Sequence, residues 1–280
     1  MSKASLYSRR IVFLSFADSS FMPSLKRIRK QAKSMNVFTD IYIKTQNGLP
    51  LYAKKRIKEV IERTRSESGY GYWTWKSAII LKTLGDLKEG DILFYADAGT
   101  HLNKNGRKKL LMYFESAIEN DIWITQLGET ATEIKYTKQD TVDFYLSSGG
   151  ERTALNSGQL QAGIIILVKN AYTCKLIQTW DKLMGIDYLH YYDDSASYVP
   201  ENPDFVSNRH DQSILSLLLK KNHFHAESVS VAYSANEEGW KQLYKDEPIL
   251  IKRDLQKKIG IKRRVKLALK YLLGGIIWHT

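Results

Sequence analysis

The chain has 280 residues, 43% of them hydrophobic, a formal net charge of +12 and a single cysteine, Cys174. That apolar content excludes wholesale disorder, one cysteine excludes an internal disulfide framework or a cysteine-built zinc site, and the length suits one large or two small domains. Residues 252–270 hold nine Lys or Arg against one Asp, +8, and leave only +4 for the rest, a tail-heavy distribution that argues against a nucleic-acid-binding face.

The amino-terminal MSKASLYSRR runs straight into a six-residue apolar stretch and lacks the longer apolar region of a signal peptide. No apolar run approaches the ~18 residues that span a bilayer. The expectation is a cytosolic protein that meets membrane only at the surface.

Residues 11–16 (IVFLSF) read as the first strand, ending in the small, polar turn Ala17-Asp18-Ser19-Ser20, which either caps the next helix or edges a binding site. A helix is expected over 23–34, a second strand over 38–44, and a helix over 51–65 with Ile57, Val60 and Ile61 on one face. Strand, helix, strand, helix at this spacing predicts an α/β fold with a mainly parallel sheet. Residues 69–76, GYGYWTWK, combine four aromatics, two glycines and a lysine. They suggest a loop entering a helix over 72–84 at a cleft, with Lys76 where backbone N–H groups already favour an anion. Trp75 and its neighbours either stack on a ligand or wedge the helix against the sheet.

The chain is organised around residues 88–103, KEGDILFYADAGTHLN. The apolar run 92–96 reads as a buried strand. Asp97 at its carboxyl end either caps the following turn or points into the crevice where open α/β sheets bind ligands, which spares it the cost of a buried, unpaired carboxylate.

A helix over 104–120 follows, with Leu110, Leu111, Phe114, Ala117 and Ile118 as its buried stripe, then a strand over 121–126. Residues 129–146 are polar and weakly patterned, with a helix start at 137–140, and 147–152 read as a flexible loop. Residues 159–168, QLQAGIIILV, read as a buried strand in which Gly163 permits close backbone approach. A helix is expected over 171–185, then a long irregular loop over 187–203 dense in Tyr and Asp, Tyr191 and Asp193 among them. His210-Asp211-Gln212 opens an apolar helix, where Asp211 is either a first-turn carboxylate or a site residue. A last short strand is expected over 224–233. Residues 252–273 read as a basic amphipathic helix suited to anionic headgroups or to docking on a protein.

The order of four motifs carries a resemblance: the aromatic, basic helix before residue 92, the strand ending in Asp97-Ala98-Gly99, Gln161-Ala162-Gly163 opening a strand, and Asp211-Gln212 opening a helix. Over residues 11–231 this resembles the GT-A nucleotide-sugar glycosyltransferases, above all bacterial enzymes of lipopolysaccharide, O-antigen or capsule synthesis and the family that includes glycogenin. The departure is Gly99, where those families carry the second carboxylate of Asp-x-Asp. The resemblance implies a GT-A catalytic domain over 1–248 and a basic helical tail over 249–280. It implies a nucleotide diphosphate sugar donor, UDP-linked in the first instance, held by Phe16, Ala17, Asp18, Trp75, Lys76, Asp97, Ala98, Gly99, Gln161, Ala162 and Gly163. It implies a glycan or polyprenyl-linked acceptor near His210, Tyr191 and Asp193, and catalysis by Asp211 and Asp97. A divalent cation, Mn²⁺ or Mg²⁺, would sit on Asp97 with His101 or a distant group such as His225 making up for Gly99, or else the enzyme depends less on metal. The enzyme would work at the inner face of the cytoplasmic membrane. A sugar-phosphate nucleotidyltransferase and a non-enzymatic basic binding module are the alternatives; the first expects a Gly-rich basic loop after the first strand, which Ala17-Asp18-Ser19-Ser20 does not supply.

Overall fold

The computed structural model describes residues 6–224, 226 and 237–251. Among them seven strands form: β1 (Ile11–Phe16), β2 (Asp40–Lys44), β3 (Ile92–Ala96), β4 (His101–Leu102), β5 (Ile122–Gln126), β6 (Leu160–Val168) and β7 (Ile249–Leu250). The helical segments are α1 (Met22–Met35), α2 (Leu51–Thr64), α3 (Gly69–Tyr72), α4 (Trp75–Gly85), α5 (Arg107–Asn120), α6 (Glu133–Tyr136), α7 (Gln139–Ser147), α8 (Ala171–Leu183), α9 (Leu189–Tyr192), α10 (Asp211–Lys221) and α11 (Glu237–Asp246).

The central sheet has the order β2-β1-β3-β6-β5. β1 lies parallel to β2 and β3, whereas β6 is antiparallel to both β3 and β5. Four strands therefore point one way and β6 runs against them: a mixed, mostly parallel α/β sheet flanked by helices. β1 and β3 are buried along their whole length, which is why both read as apolar runs, broken in β1 only by the small Ser15. Their side chains still alternate between two cores. Val12, Leu14, Leu93 and Tyr95 face one core with Ile79, Trp180 and Leu215, under α4, α8 and α10. Phe13 and Phe94 face the other with Ile28, Phe114 and Trp123, under α1 and α5. Phe94 meets Phe13 and Phe114 edge-on at centroid distances of 5.5 and 6.2 Å, a geometry that adds to simple burial. A bidentate pair, Arg56 to Asp181 at 2.9 and 3.1 Å, joins α2 to α8, and Ser77 Oγ of α4 donates to the same carboxylate at 2.8 Å.

Several elements differ from the sequence-based expectation. The helix expected from residue 72 starts at Trp75. Before it, Gly69, Tyr70, Gly71, Tyr72 and Trp73 all carry φ between +52° and +83°, so α3 is a left-handed turn. Gly69 is required there twice over: its φ is +55°, and a Cβ would lie 2.2 Å from the Trp73 ring. The expected loop over 187–203 begins instead as a helical turn and α9, and Tyr192 is fully buried. β4 pairs antiparallel with β7, and Asn103 Nδ2 donates to the carbonyls of Tyr244 and Glu247 at 3.0 and 2.9 Å. Ile249 and Leu250 thereby join the body of the fold. Of the expected strand over 224–233, only residues 224 and 226 are described, and the basic tail over 252–273 lies outside the described residues. Among the described residues no helix is long and apolar enough to cross a membrane.

Candidate active site

Topology collects the site. Because β6 is antiparallel to β3, its first residues lie beside the last of β3: Ala96 pairs with Ile164, and Asp97 N–H donates to the Gly163 carbonyl at 2.9 Å. α4 and α10 pack on the same face and bring their amino-terminal ends to that edge. The result is a cavity of about 780 Å³ at the carboxyl end of β3, where ligands of open α/β sheets bind and within the size range of small-molecule sites.

Lys76 organises its floor. The residue is 2% exposed, and its ammonium lies 2.7 Å from Asp211 Oδ2 and 3.3 and 3.4 Å from the two oxygens of Asp97. Tyr95 donates to Asp97 Oδ1 at 2.5 Å. Burial alone pulls the Lys76 pKa down, but Asp211 and Asp97 outweigh it and hold the ammonium above its ordinary value. Burial raises the Asp211 carboxyl above the usual range; Lys76 pulls it back only in part, and Asp97 adds to the rise. One cation shared by two carboxylates cannot fully compensate both. Burial, then the Asp97 charge, also pushes the Tyr95 phenol well above its ordinary value, so it stays a donor.

The rest of the wall is polar and aromatic. Gln161 accepts from Thr125 Oγ1 at 2.6 Å through its carbonyl, which leaves its amide nitrogen for the cavity. Gln212 is oriented from behind. The buried Gln159 places Nε2 within 3.0–3.2 Å of Glu133, Thr137, Ser213 and the Tyr136 carbonyl. Its Oε1 must then accept, and it does so from Gln212 Nε2 at 2.8 Å. The Gln212 carbonyl oxygen is thus the end left for the cavity. His210 stacks on Trp73 at 5.1 Å and 22°, and its Nδ1 donates to the Tyr192 carbonyl at 2.8 Å.

Backbone strain gathers here. His210 has φ +53° and ψ −119°, and Tyr70, Tyr72 and Trp73 have φ of +54°, +52° and +58°. Non-glycine residues in such regions cost ~1–3 kcal/mol each and persist where the surroundings enforce them. Tyr72 and Trp73 both contact His210, so the strained turn and the strained cap brace each other.

Of the residues singled out in the sequence, Lys76, Asp97, Gly99, Gln161, Ala162, Gly163, His210 and Asp211 line this cavity. The others do not. Phe16 is 2% exposed and packs, tilted, on Trp75 at 4.1 Å between ring centroids, so both belong to the core. Ala17 and Ala98 are buried against Leu25, and the Ala98 carbonyl accepts from Arg27 at 2.7 Å. Asp18 caps its own turn, accepting from Ser20 N–H at 2.7 Å. His101 sits in β4 with Nδ1 3.3 Å from Gln31 Nε2. Tyr191 packs on Phe144 at 4.8 Å. Asp193 lines a neighbouring cavity of about 520 Å³ that shares Asn208 with the first. His225 is outside the described residues. The close approach expected at Gly163 comes from the protein itself, since a Cβ there would meet Asp97 Oδ2 at 3.0 Å.

The sequence reading missed Trp73, Asn208, Arg209 and Gln212 as lining residues. Only Trp73 and Gln212 carried a signal, through the aromatic run and the Asp-Gln pair.

The described donors around Asp97 do not by themselves make a divalent-cation site. Among the described residues no group of three or more His, Cys, Asp or Glu is placed to hold a metal ion. Gly99 supplies no ligand, and both Asp97 oxygens face the Lys76 ammonium at 3.3 and 3.4 Å. Of the metal ligands expected from the sequence, Asp97 is engaged by Lys76 and Tyr95, His101 is turned toward α1, and His225 lies outside the described residues.

No family model matches the chain, and no curated protein sequence matches it. Solved structures of similar arrangement include mouse xyloside xylosyltransferase 1, at 8% identity over 88% of this chain and 98% of that one, TM-score 0.45. Another is a glycosyltransferase involved in the glycosylation of the major capsid of PBCV-1, at 11% over 93% and 99%, TM-score 0.40. A third is core-mannan synthase A from Aspergillus fumigatus in its Mn/GDP form, at 9% over 78% and 72%, TM-score 0.42. At such identities and TM-scores the likeness is of fold at most, and function rests on the site's own geometry.

Proposed function

We propose that the protein is a GT-A-type glycosyltransferase that moves a sugar from a nucleoside diphosphate sugar to a hydroxyl. One observation carries the reading: a buried ammonium held between Asp97 and Asp211, at 3.3 and 2.7 Å, on the floor of a polar and aromatic cavity at the carboxyl edge of an α/β sheet. Carboxylates and amides suit sugar hydroxyls, and Trp73 offers a ring face. Lys76 opposes the negative charge that builds on the departing diphosphate. Asp97, with its side chain 37% exposed, takes hydroxyls of the donor. Asp211, made more basic than a free carboxylate by burial, is the group to accept the proton of the attacking hydroxyl. The acceptor enters on the side of His210 and the adjoining cavity that contains Asp193.

The acceptor we propose is a lipid-linked or growing bacterial surface glycan, the setting implied by the order of the motifs. The nine basic residues between 252 and 270 would hold the enzyme on anionic headgroups at the inner membrane face. A thermal-shift screen of UDP, GDP, CDP and dTDP sugars tests the donor half. At least one should raise the melting temperature of the wild type and not of Asp97→Ala; no response to any of them contradicts the reading.

A further inference from the structure

We propose that Lys76 is the site's permanent cation, standing where a divalent metal would otherwise lie, so that the donor diphosphate is bound without metal. The inference rests on the nucleotide-sugar reading and deepens it. Its support is the placement of one side chain. Lys76 leaves the first turn of α4, is 2% exposed, and reaches the gap between the end of β3 and the start of α10. There its ammonium touches the two carboxylates from different elements, Asp211 at 2.7 Å and Asp97 at 3.3 Å.

Two carboxylates converging from a strand end and a helix start form the kind of oxygen-donor pair that holds Mg²⁺ or Mn²⁺. With the ammonium between them the group carries one positive and two negative charges; without it, two uncompensated negative charges remain. The lysine is not a loosely placed neighbour. It is also 5.9 Å from the ring centroids of both Trp75 and Tyr95, and Tyr95 pins the Asp97 oxygen it faces. Gly99 is consistent with a site that dispenses with a metal. Its Cβ position is open, with nothing within 4 Å, so space alone does not explain the missing carboxylate.

The test is a Mn²⁺ titration of the full chain followed by electron paramagnetic resonance, on the wild type, Lys76→Arg and Lys76→Met. Wild type and Lys76→Arg should immobilise no Mn²⁺ in the cavity, whereas Lys76→Met should bind one equivalent that a further Asp97→Asn change removes. Wild-type binding of Mn²⁺ that Asp97→Asn abolishes overturns the proposal, as does a folded Lys76→Met that binds none. Should Lys76→Met not fold, the wild type decides by calorimetry with UDP, GDP and CDP in Mn²⁺ or in chelator. Affinity unchanged within about twofold supports a built-in cation; a tenfold loss in chelator, ~1.4 kcal/mol, refutes it. If none of these nucleotides binds in either medium, the glycosyltransferase reading fails, while the wild-type Mn²⁺ titration with its Asp97→Asn control still decides whether a metal occupies the cavity.

Discussion

Replacing Lys76 by Met removes a charge but keeps most of the volume, so its cost isolates the electrostatic role. Asp211 is 5% exposed and its nearest cation is Lys76 at 2.7 Å. Removing one partner of a buried pair leaves an uncompensated charge and costs ~3–5 kcal/mol. Asp97 adds little, because its side chain is 37% exposed and solvent screens it. Neutralising the stranded carboxylate as well, in Lys76→Met with Asp211→Asn, should recover ~2 kcal/mol or more, a coupling expected of residues in contact. Urea unfolding at neutral pH, with slopes compared to confirm an unchanged transition, measures both variants. A single-variant loss below ~1 kcal/mol, or no recovery in the double variant, would refute the reasoning, because the pair would then not be an electrostatic unit.

Three further outcomes follow from the same geometry. Gly99→Asp should fold with stability within ~0.5 kcal/mol of wild type, since nothing lies within 4 Å of its Cβ position; a large drop in the urea midpoint would contradict that. Gln159→Leu removes one of several donors to Glu133, which keeps Lys220, Ser216 and Thr137, and frees the Gln212 amide to rotate; a loss of ~1–2 kcal/mol with a fall in turnover greater than any change in KM is expected from unfolding and steady-state assays. The third concerns pH. Burial would raise the Asp140 pKa, but His190, 2.5 Å away, and the Tyr198 N–H hold it below its ordinary 3.8. A depressed acid contributes stability above its unfolded pKa and loses it as pH falls through the folded value. Wild-type stability should therefore fall more than that of Asp140→Asn between pH ~5 and ~3, as read by urea midpoints.

Much of the framework was legible because burial writes itself into sequence. β3 is an unbroken apolar run, as is β6 from Ile164 onward, β1 is apolar but for Ser15, and the stripes of α2 and α5 repeat at helical spacing. Polar residues at strand ends and helix starts were legible for the opposite reason: Lys76, Asp97, Gln161 and Asp211 sit where an apolar element stops, and all four line the cavity. Phe16 and Trp75 were not separable from donor contacts, since an aromatic residue in the core has the same composition as one at a site. The direction of β6 was invisible because a buried strand reads alike in either direction. The left-handed turn at residues 69–73 was hidden because Tyr70, Tyr72 and Trp73 do not normally take positive φ; only the spacing of Gly69 and Gly71 hinted at it. The orientation of Gln212 depends on Gln159, 53 positions away, and no local pattern carries such a partnership.

The most direct measurement of the central claim is the release of nucleoside diphosphate from a panel of nucleotide sugars by the full chain, with and without a polyprenyl-linked glycan. The account predicts release from at least one donor, faster with acceptor, and lowered by a hundredfold or so, ~2.7 kcal/mol in barrier, in both Asp97→Ala and Asp211→Asn. No release from any donor, or release that both variants retain in full, would contradict it.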